Sequence, residues 1–134
     1  TGDNHGFMRW ALTNKDELMK LGPGRHFGEW WGSGIQRGYG LQKGEKRFSL
    51  FNTYKWSDAL GLRPACCHVV PVLFNGLFET GSALAVMSAL SEIGSKASPG
   101  FMHPEGVIIY HHAANLYFKK TLSKDEEWKG KQAA

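Results

Sequence analysis

The sequence has few cysteines and no long apolar run, and each shortage excludes a class of protein. Its 134 residues include two cysteines, the adjacent Cys66 and Cys67. A disulfide between neighbours is strained and rare, so the pair predicts two reduced thiols buried in a strand, in a reducing compartment. No apolar stretch approaches the roughly 18 residues of a membrane span, and the N-terminus shows no signal-peptide pattern. We therefore expect a cytoplasmic protein with no membrane partner.

The composition and the hydrophobic pattern predict a folded α+β protein. Hydrophobic residues make up 42% of the chain and aromatic residues 13%, and the length favours one domain over residues 1–134. Scattered strands around two or more helices, without regular alternation, indicate mostly antiparallel sheets. The predicted strands are Phe7–Leu12, His26–Trp31, Phe48–Phe51, Cys66–Phe74, Gly106–Tyr110 and Leu116–Leu122; the predicted helices are Asp16–Leu21, behind a capping box at Thr13–Asp16, and Thr80–Ile93.

Three of the predicted strand segments carry a charge inside an apolar or aromatic run. The charged residues are Glu29, Glu105 and Lys119. A buried charge costs several kcal/mol unless it is paired, so three such residues indicate one shared ligand. Two carboxylates and a lysine suit a nucleotide, with carboxylates for ribose hydroxyls and metal and lysine for phosphate. The alternative for each is a side chain that simply reaches water.

The strand alternation separates Lys119 from its neighbour Lys120. Adjacent strand residues point to opposite faces, so one of the two lysines is expected to face solvent only. Lys120 shares its predicted face with Phe118 and Leu122. We therefore prefer Lys119 as the ligand-binding lysine.

A basic cluster lies in and after a glycine-rich loop that the sequence predicts over Gly32–Gly44. It contains Arg37, Lys43, Lys46 and Arg47. Such a cluster is often a solvated loop, but the interleaved glycines and an aromatic residue also fit contact with a polyanion. Arg37 and Lys43 are the candidates for RNA or phosphate contact.

Other kinds of site are disfavoured by residue spacing. The glycine loop lacks the spacing of a P-loop. His111 and His112 are adjacent, and the remaining histidines do not give the ligand spacing of a structural zinc site. Cys66 and Cys67 could act as nucleophiles only if something activated a thiol, and the sequence shows no such group.

Five segments in a fixed order resemble phage-type ATP-dependent RNA ligases. These enzymes are covalent nucleotidyltransferases, like DNA ligases and mRNA capping enzymes. The resemblance covers the chain from about Asp3 to Gly130 and implies part of an adenylation domain. The segments are Gly28-Glu29, Gly32-Ser33-Gly34-Ile35-Gln36-Arg37-Gly38, Arg47–Asn52, Glu105-Gly106-Val107 and Phe118-Lys119.

The resemblance implies a role for each candidate residue, with ATP and Mg²⁺ as cofactors and RNA as partner. Glu29 would bind the ribose of the nucleotide. Phe51 would stack on adenine; the alternative is a phenylalanine that packs in the core from a strand. Glu105 would support the metal and the catalytic lysine. Lys119 would contact phosphate and stabilise charge during adenylyl transfer.

The chain departs from the family pattern at three places. Thr121 stands where the family often has a second lysine, and Asn52 stands where many relatives have aspartate. The family's nucleophile lies in a Lys-x-Asp-Gly motif, and this sequence contains no such motif. We therefore expect the C-terminal part of an adenylation domain, with an N-terminal fragment that carries the motif as a possible partner.

Three functions remain open at this point. The leading one is part of an RNA ligase, which would adenylylate a lysine, transfer AMP to an RNA 5′-phosphate and seal the strand, but not alone. The alternative is a non-catalytic nucleotide- or RNA-binding module derived from a ligase. A relative of capping enzymes or DNA ligases is the third, and the Gly-Ile-Gln-Arg-Gly stretch favours the RNA ligase branch over it.

Overall fold

A computed structural model of the protein describes residues 3–35 and 38–122. The fold is α+β, as the sequence predicts, and the chain divides into two compact units, Thr1–Val72 and Leu73–Ala134. The first unit contains helices α1 (Phe7–Thr13) and α2 (Lys15–Leu18) and strands β1 (Gly28–Gly32), β2 (Lys46–Leu50) and β3 (His68–Val69); the second contains helix α3 (Thr80–Ile93) and strands β4 (Gly106–His111) and β5 (Leu116–Thr121).

The first unit is built on a sheet of three strands in the order β1-β2-β3. β1 and β2 are antiparallel, with Glu29 opposite Ser49, and β2 and β3 are parallel. The predicted strand Cys66–Phe74 is wrong in extent, because only His68–Val69 forms a ladder. Pro71 follows shortly after and has no N–H to donate, so the pairing cannot continue past it.

One face of this sheet is covered by the first helix. The rings of Trp30 and Phe48 lie 5.1 and 5.8 Å from the ring of Trp10, and Phe7 lies 5.4 Å from Trp30, measured between centroids. Leu50, on the same face as Phe48, is fully buried and forms the core with Trp56 and Cys67. This aromatic layer joins the helix to the sheet.

The predicted strand Phe7–Leu12 is wrong, because this segment is helix α1. Phe7 and Trp10 are three residues apart, which places both rings on one side of a helix and would place them on opposite faces of a strand. The carboxylate of Asp3 accepts the backbone N–H groups of Met8 and Arg9 at 2.5 and 2.9 Å. Asp3 therefore satisfies two N–H groups in the first turn of α1, which have no partner within the helix.

The predicted capping box at Thr13–Asp16 is also wrong. The hydroxyl of Thr13 donates to the carbonyl of Arg9 at 2.9 Å, and the amide of Asn14 donates to the carbonyl of Trp10 at 2.8 Å. Both side chains thus bond back to α1 and help to end it, where a capping box would bond forward to the start of α2.

The described part of the second unit, up to residue 122, contains one helix and one hairpin. α3 has the predicted bounds, buries Met87 and Leu90, and ends where Gly94 adopts a φ of 92°. β4 and β5 pair in antiparallel register from Gly106 opposite Thr121 to His111 opposite Leu116. None of the helices in the described residues has the length and apolar character that a membrane crossing requires.

We expect Asp3→Ala to lower the free energy of unfolding by about 1 kcal/mol, because it removes the acceptor for two helix N–H groups. The measurement is urea denaturation followed by circular dichroism. Asn4→Ala, at the next exposed position, is the matched control and should stay within about 0.5 kcal/mol of the wild type. Equal effects of the two substitutions would show that Asp3 does not cap α1.

Candidate functional site

The sheet of the first unit has a second face, opposite α1, which we call the open face. Alternation along β1 places Glu29 and Trp31 on this face, and the register adds Ser49 and Arg47 of β2. The indole N–H of Trp31 donates to the hydroxyl of Ser49 at 2.8 Å. The guanidinium of Arg47 lies 5.6 Å from the centroid of the Trp31 ring, within the range of a cation–π contact.

The predicted nucleotide-binding residues of the first unit lie on or beside the open face. Glu29 is partly buried and stands opposite Ser49. Phe51 follows β2 and is partly buried, and its backbone N–H donates to the carbonyl of Phe27 at 2.9 Å. Lys43 is exposed in the loop before β2. The other predicted phosphate contact, Arg37, lies outside the described residues.

The predicted residues of the second unit, Glu105 and Lys119, form an ion pair. The Nζ atom of Lys119 lies 3.4 Å from Oε1 of Glu105, and the backbone N–H of Leu122 donates to the carbonyl of Glu105 at 2.9 Å. Lys119 pairs with Ile108 in the ladder, whereas Lys120 pairs with Val107 and points to the other face. The hairpin therefore brings together two charged groups that are 14 residues apart in sequence.

The expectation that these charges are buried is wrong for Lys119, whereas Glu105 is partly buried. The side chain of Lys119 is 56% exposed and that of Glu105 is 25% exposed. Both lie on a two-stranded hairpin, which has a water-facing surface along much of its length. An exposed ion pair contributes about 0–1 kcal/mol to stability, so folding alone gives little reason for this pairing.

Gly106, the first residue of β4, allows β4 to lie close to β5. Its φ is 159°, and a Cβ atom at this position would lie 2.1 Å from the carbonyl oxygen of Lys120. Any side chain here would push β4 away from β5. Gly106, the residue after Glu105, therefore allows the close pairing of β4 and β5 that brings Glu105 near Lys119.

We expect Gly106→Ala to destabilise the hairpin, by roughly 1–3 kcal/mol, because the Cβ atom clashes with backbone that cannot move without loss of the ladder. Hydrogen exchange of the β4 and β5 amides is the measurement. Gly81→Ala in α3 is the matched control: the added Cβ atom has no neighbour within 4 Å there, and alanine favours a helix. Its effect should be neutral or stabilising; equal protection of the hairpin in both variants would contradict the clash.

The cysteines do not form a nucleophilic site. Cys66 and Cys67 are free thiols whose sulfur atoms lie 3.9 Å apart, in the turn before β3 and not within a strand as predicted. Burial, and next the neighbouring thiol of Cys66, raise the pKa of Cys67 to about 12. A thiol with this pKa stays protonated at neutral pH and is a poor nucleophile.

Within residues 3–35 and 38–122, no group of three or more His, Cys, Asp or Glu side chains is close enough to hold a metal ion. A magnesium ion is commonly held by one or two carboxylates and by the phosphates of a nucleotide. Glu105 can be such a carboxylate.

His68 of β3 lies beside the open face, at the position that pairs with Ser49. Much of the residue is exposed, but partial burial of the ring, and then the charges of Arg47 and Arg63, lower its pKa; Glu45 acts in the opposite direction. The folded protein therefore binds a proton at His68 less readily than the unfolded chain does.

We expect this difference to make stability depend on pH below about 6.5, the pKa of an unperturbed histidine. As the pH falls below that value the unfolded chain takes up the proton first, so the free energy of unfolding decreases. His68→Gln should lose less stability than the wild type between pH 7.5 and 5.5, as measured by urea denaturation. An identical loss in both proteins would remove His68 as the cause.

The cluster of Trp31, Arg47, Ser49 and Tyr39 was not predicted as a group. Tyr39 packs its ring edge-on to Trp31 at 5.6 Å between centroids. Alternation placed Trp31 on the same face as Glu29, but only the register of β1 on β2 shows that Arg47 and Ser49 are its neighbours.

Comparison of the chain with protein-family models, with curated proteins and with solved structures finds no match.

Proposed function

We propose that this chain supplies the nucleotide-binding part of an RNA ligase-type nucleotidyltransferase, and that its two units are parts of an adenylation domain. The observation that carries the proposal is the contact between Lys119 and Glu105 at 3.4 Å. The resemblance assigns these two residues to one chemical step, although they belong to different segments of the sequence.

The ion pair is suited to binding phosphate. The ammonium group of Lys119 is mostly exposed, so a phosphate can reach it, and the Glu105 carboxylate limits the positions it can adopt. Glu105 would hold Mg²⁺ together with the phosphates of ATP, and the metal would neutralise phosphate charge. Lys119 would then stabilise the negative charge that develops when AMP is transferred.

The first unit carries its own candidate residues for contact with a nucleoside. The Glu29 carboxylate can accept hydrogen bonds from ribose hydroxyls. Phe51 offers an aromatic ring, and its backbone is held to Phe27 by the 2.9 Å hydrogen bond. The free thiols of Cys66 and Cys67 agree with a reducing compartment, and the cytoplasm is part of the proposal for that reason.

The nucleophile in this proposal lies outside these 134 residues. They contain no Lys-x-Asp-Gly, so a lysine in a segment that carries this motif would attack the α-phosphate of ATP, accept AMP and release pyrophosphate. The same observation favours the second candidate function, a non-catalytic nucleotide- or RNA-binding module. The two candidates differ in one result: only the ligase part transfers AMP.

The test is incubation with α-³²P-ATP and Mg²⁺, with and without a polypeptide that carries Lys-x-Asp-Gly, followed by a denaturing gel. We expect no label on the chain alone, and label on the added polypeptide when the chain is present. Lys119→Ala should reduce labelling by about 10²–10³, as for loss of a contact that stabilises the transition state. Lys120→Ala, on the other face of β5, is the matched control and should label normally.

Further variants separate the outcomes. The added polypeptide with its motif lysine changed to alanine should remain unlabelled. ATP binding that depends on Lys119, without transfer, would support the non-catalytic module. A labelled band at the mass of these 134 residues alone would contradict the need for a nucleophile outside them, and equal effects of Lys119→Ala and Lys120→Ala would remove the assigned phosphate contact.

A further inference from the structure

The excess of positive over negative charge lies entirely in the first unit. Residues 1–72 contain ten lysines and arginines and six aspartates and glutamates, whereas residues 73–134 contain six of each. The first unit therefore carries a net charge of +4, which is the charge of the whole chain. An excess of this size on a small folded unit attracts polyanions.

The open face carries exposed aromatic surface as well as charge. Phe27, just before β1, is 58% exposed, and the strand alternation places it on the side of Glu29 and Trp31. The other face of the same sheet is covered by the aromatic layer of α1. Trp31 is partly buried and Ser49 is buried on the same face, so Phe27 supplies its most exposed ring. Aromatic rings on a sheet face are a common means of stacking the bases of single-stranded RNA.

Trp31 is held in place on the open face before any ligand binds. Ser49 accepts a hydrogen bond from its indole N–H, Tyr39 contacts it edge-on, and the guanidinium of Arg47 lies near its ring. Arg47 is in turn paired with Glu45 at 3.3 Å and remains 30% exposed. A fixed ring loses little conformational freedom when a base stacks on it, which favours binding.

We propose that the open face binds single-stranded RNA, with bases stacked on Phe27 and Trp31 and a phosphate contacted by Arg47. The acidic Glu29 on this face disfavours a ligand that offers phosphates alone. Bases can stack on the aromatic rings and a phosphate can bind the guanidinium of Arg47, so a single-stranded polynucleotide matches both kinds of side chain. The inference rests on the proposed function in taking RNA as the ligand, and it assigns polynucleotide binding to residues outside the Lys119–Glu105 pair.

The experiment uses a fluorescein-labelled U12 RNA and the full chain, with binding followed by fluorescence anisotropy at several salt concentrations. Stacking on one aromatic side chain is worth about 1–3 kcal/mol per base, so Trp31→Leu should weaken binding about tenfold or more. Trp30→Leu is the matched control, because the same substitution lies on the covered face. It should change the affinity by less than about twofold, at a temperature where circular dichroism shows both variants folded.

Arg47→Gln provides a measurement that does not depend on the tryptophan variants. Loss of one phosphate contact should reduce the slope of log Kd against log salt by about 0.7, the value for a single strand. Lys15→Gln removes one charge from α2, on the helical side of the unit, and should leave the slope unchanged. Inorganic polyphosphate at equal phosphate concentration should compete less well than unlabelled U12.

Three results would overturn the inference. They are wild-type affinity in Trp31→Leu, an unchanged salt slope in Arg47→Gln, and competition by polyphosphate as strong as that by U12, which would indicate charge attraction alone. The result also separates this inference from the proposed function. If RNA binding depends on Trp31 but Lys119-dependent transfer of AMP is absent, the RNA-binding inference is retained and the proposed ligase function is overturned. If AMP transfer depends on Lys119 but RNA binding does not depend on Trp31, the proposed function is retained and the RNA-binding inference is overturned.

Discussion

The register of β1 on β2 is the constraint on which the first unit depends. Trp30 and Trp31 are consecutive, so one must face α1 and the other the open face. In the observed register Trp30 pairs with Phe48 and Trp31 with Arg47. A slip of β1 by one residue would exchange the faces of the two tryptophans and turn Glu29 toward the aromatic layer. This register requires a glycine at position 28, because a Cβ atom there would lie 2.6 Å from the carbonyl oxygen of Ser49.

The hydrophobic pattern was sufficient for α3 and the hairpin, and insufficient for the short helix α1 and for the extent of β3. α3 has the predicted bounds because its apolar residues recur at threes and fours over 14 residues, a period that a strand cannot match. The apolar run over 7–12 is too short to separate the two periods. Asp3 stabilises the helix by accepting hydrogen bonds from the N–H groups of Met8 and Arg9. Asp3 lies outside the apolar segment, so the propensities of residues 7–12 could not reveal this contribution.

The candidate site was predictable where it depends on alternation and not where it depends on burial or register. Alternation alone separates Lys119 from Lys120, and the hairpin places Lys119 beside Glu105. Charged residues inside apolar runs were taken to be buried, but in sheets of two or three strands one side of such a run meets water. The contact of Arg47 with Trp31 joins residues 16 positions apart and follows only from how the strands pair.

The adjacent thiols offer a practical consequence for labelling. Cys67 belongs to the core beside Leu50 and Trp56, and its pKa of about 12 keeps it protonated, whereas Cys66 is partly accessible. Thiol reagents act on the thiolate, so an alkylating probe discriminates between two neighbouring residues without any mutation. A fluorophore attached at Cys66 would sit two residues before β3, close enough to the sheet to report on a ligand while the native core stays intact.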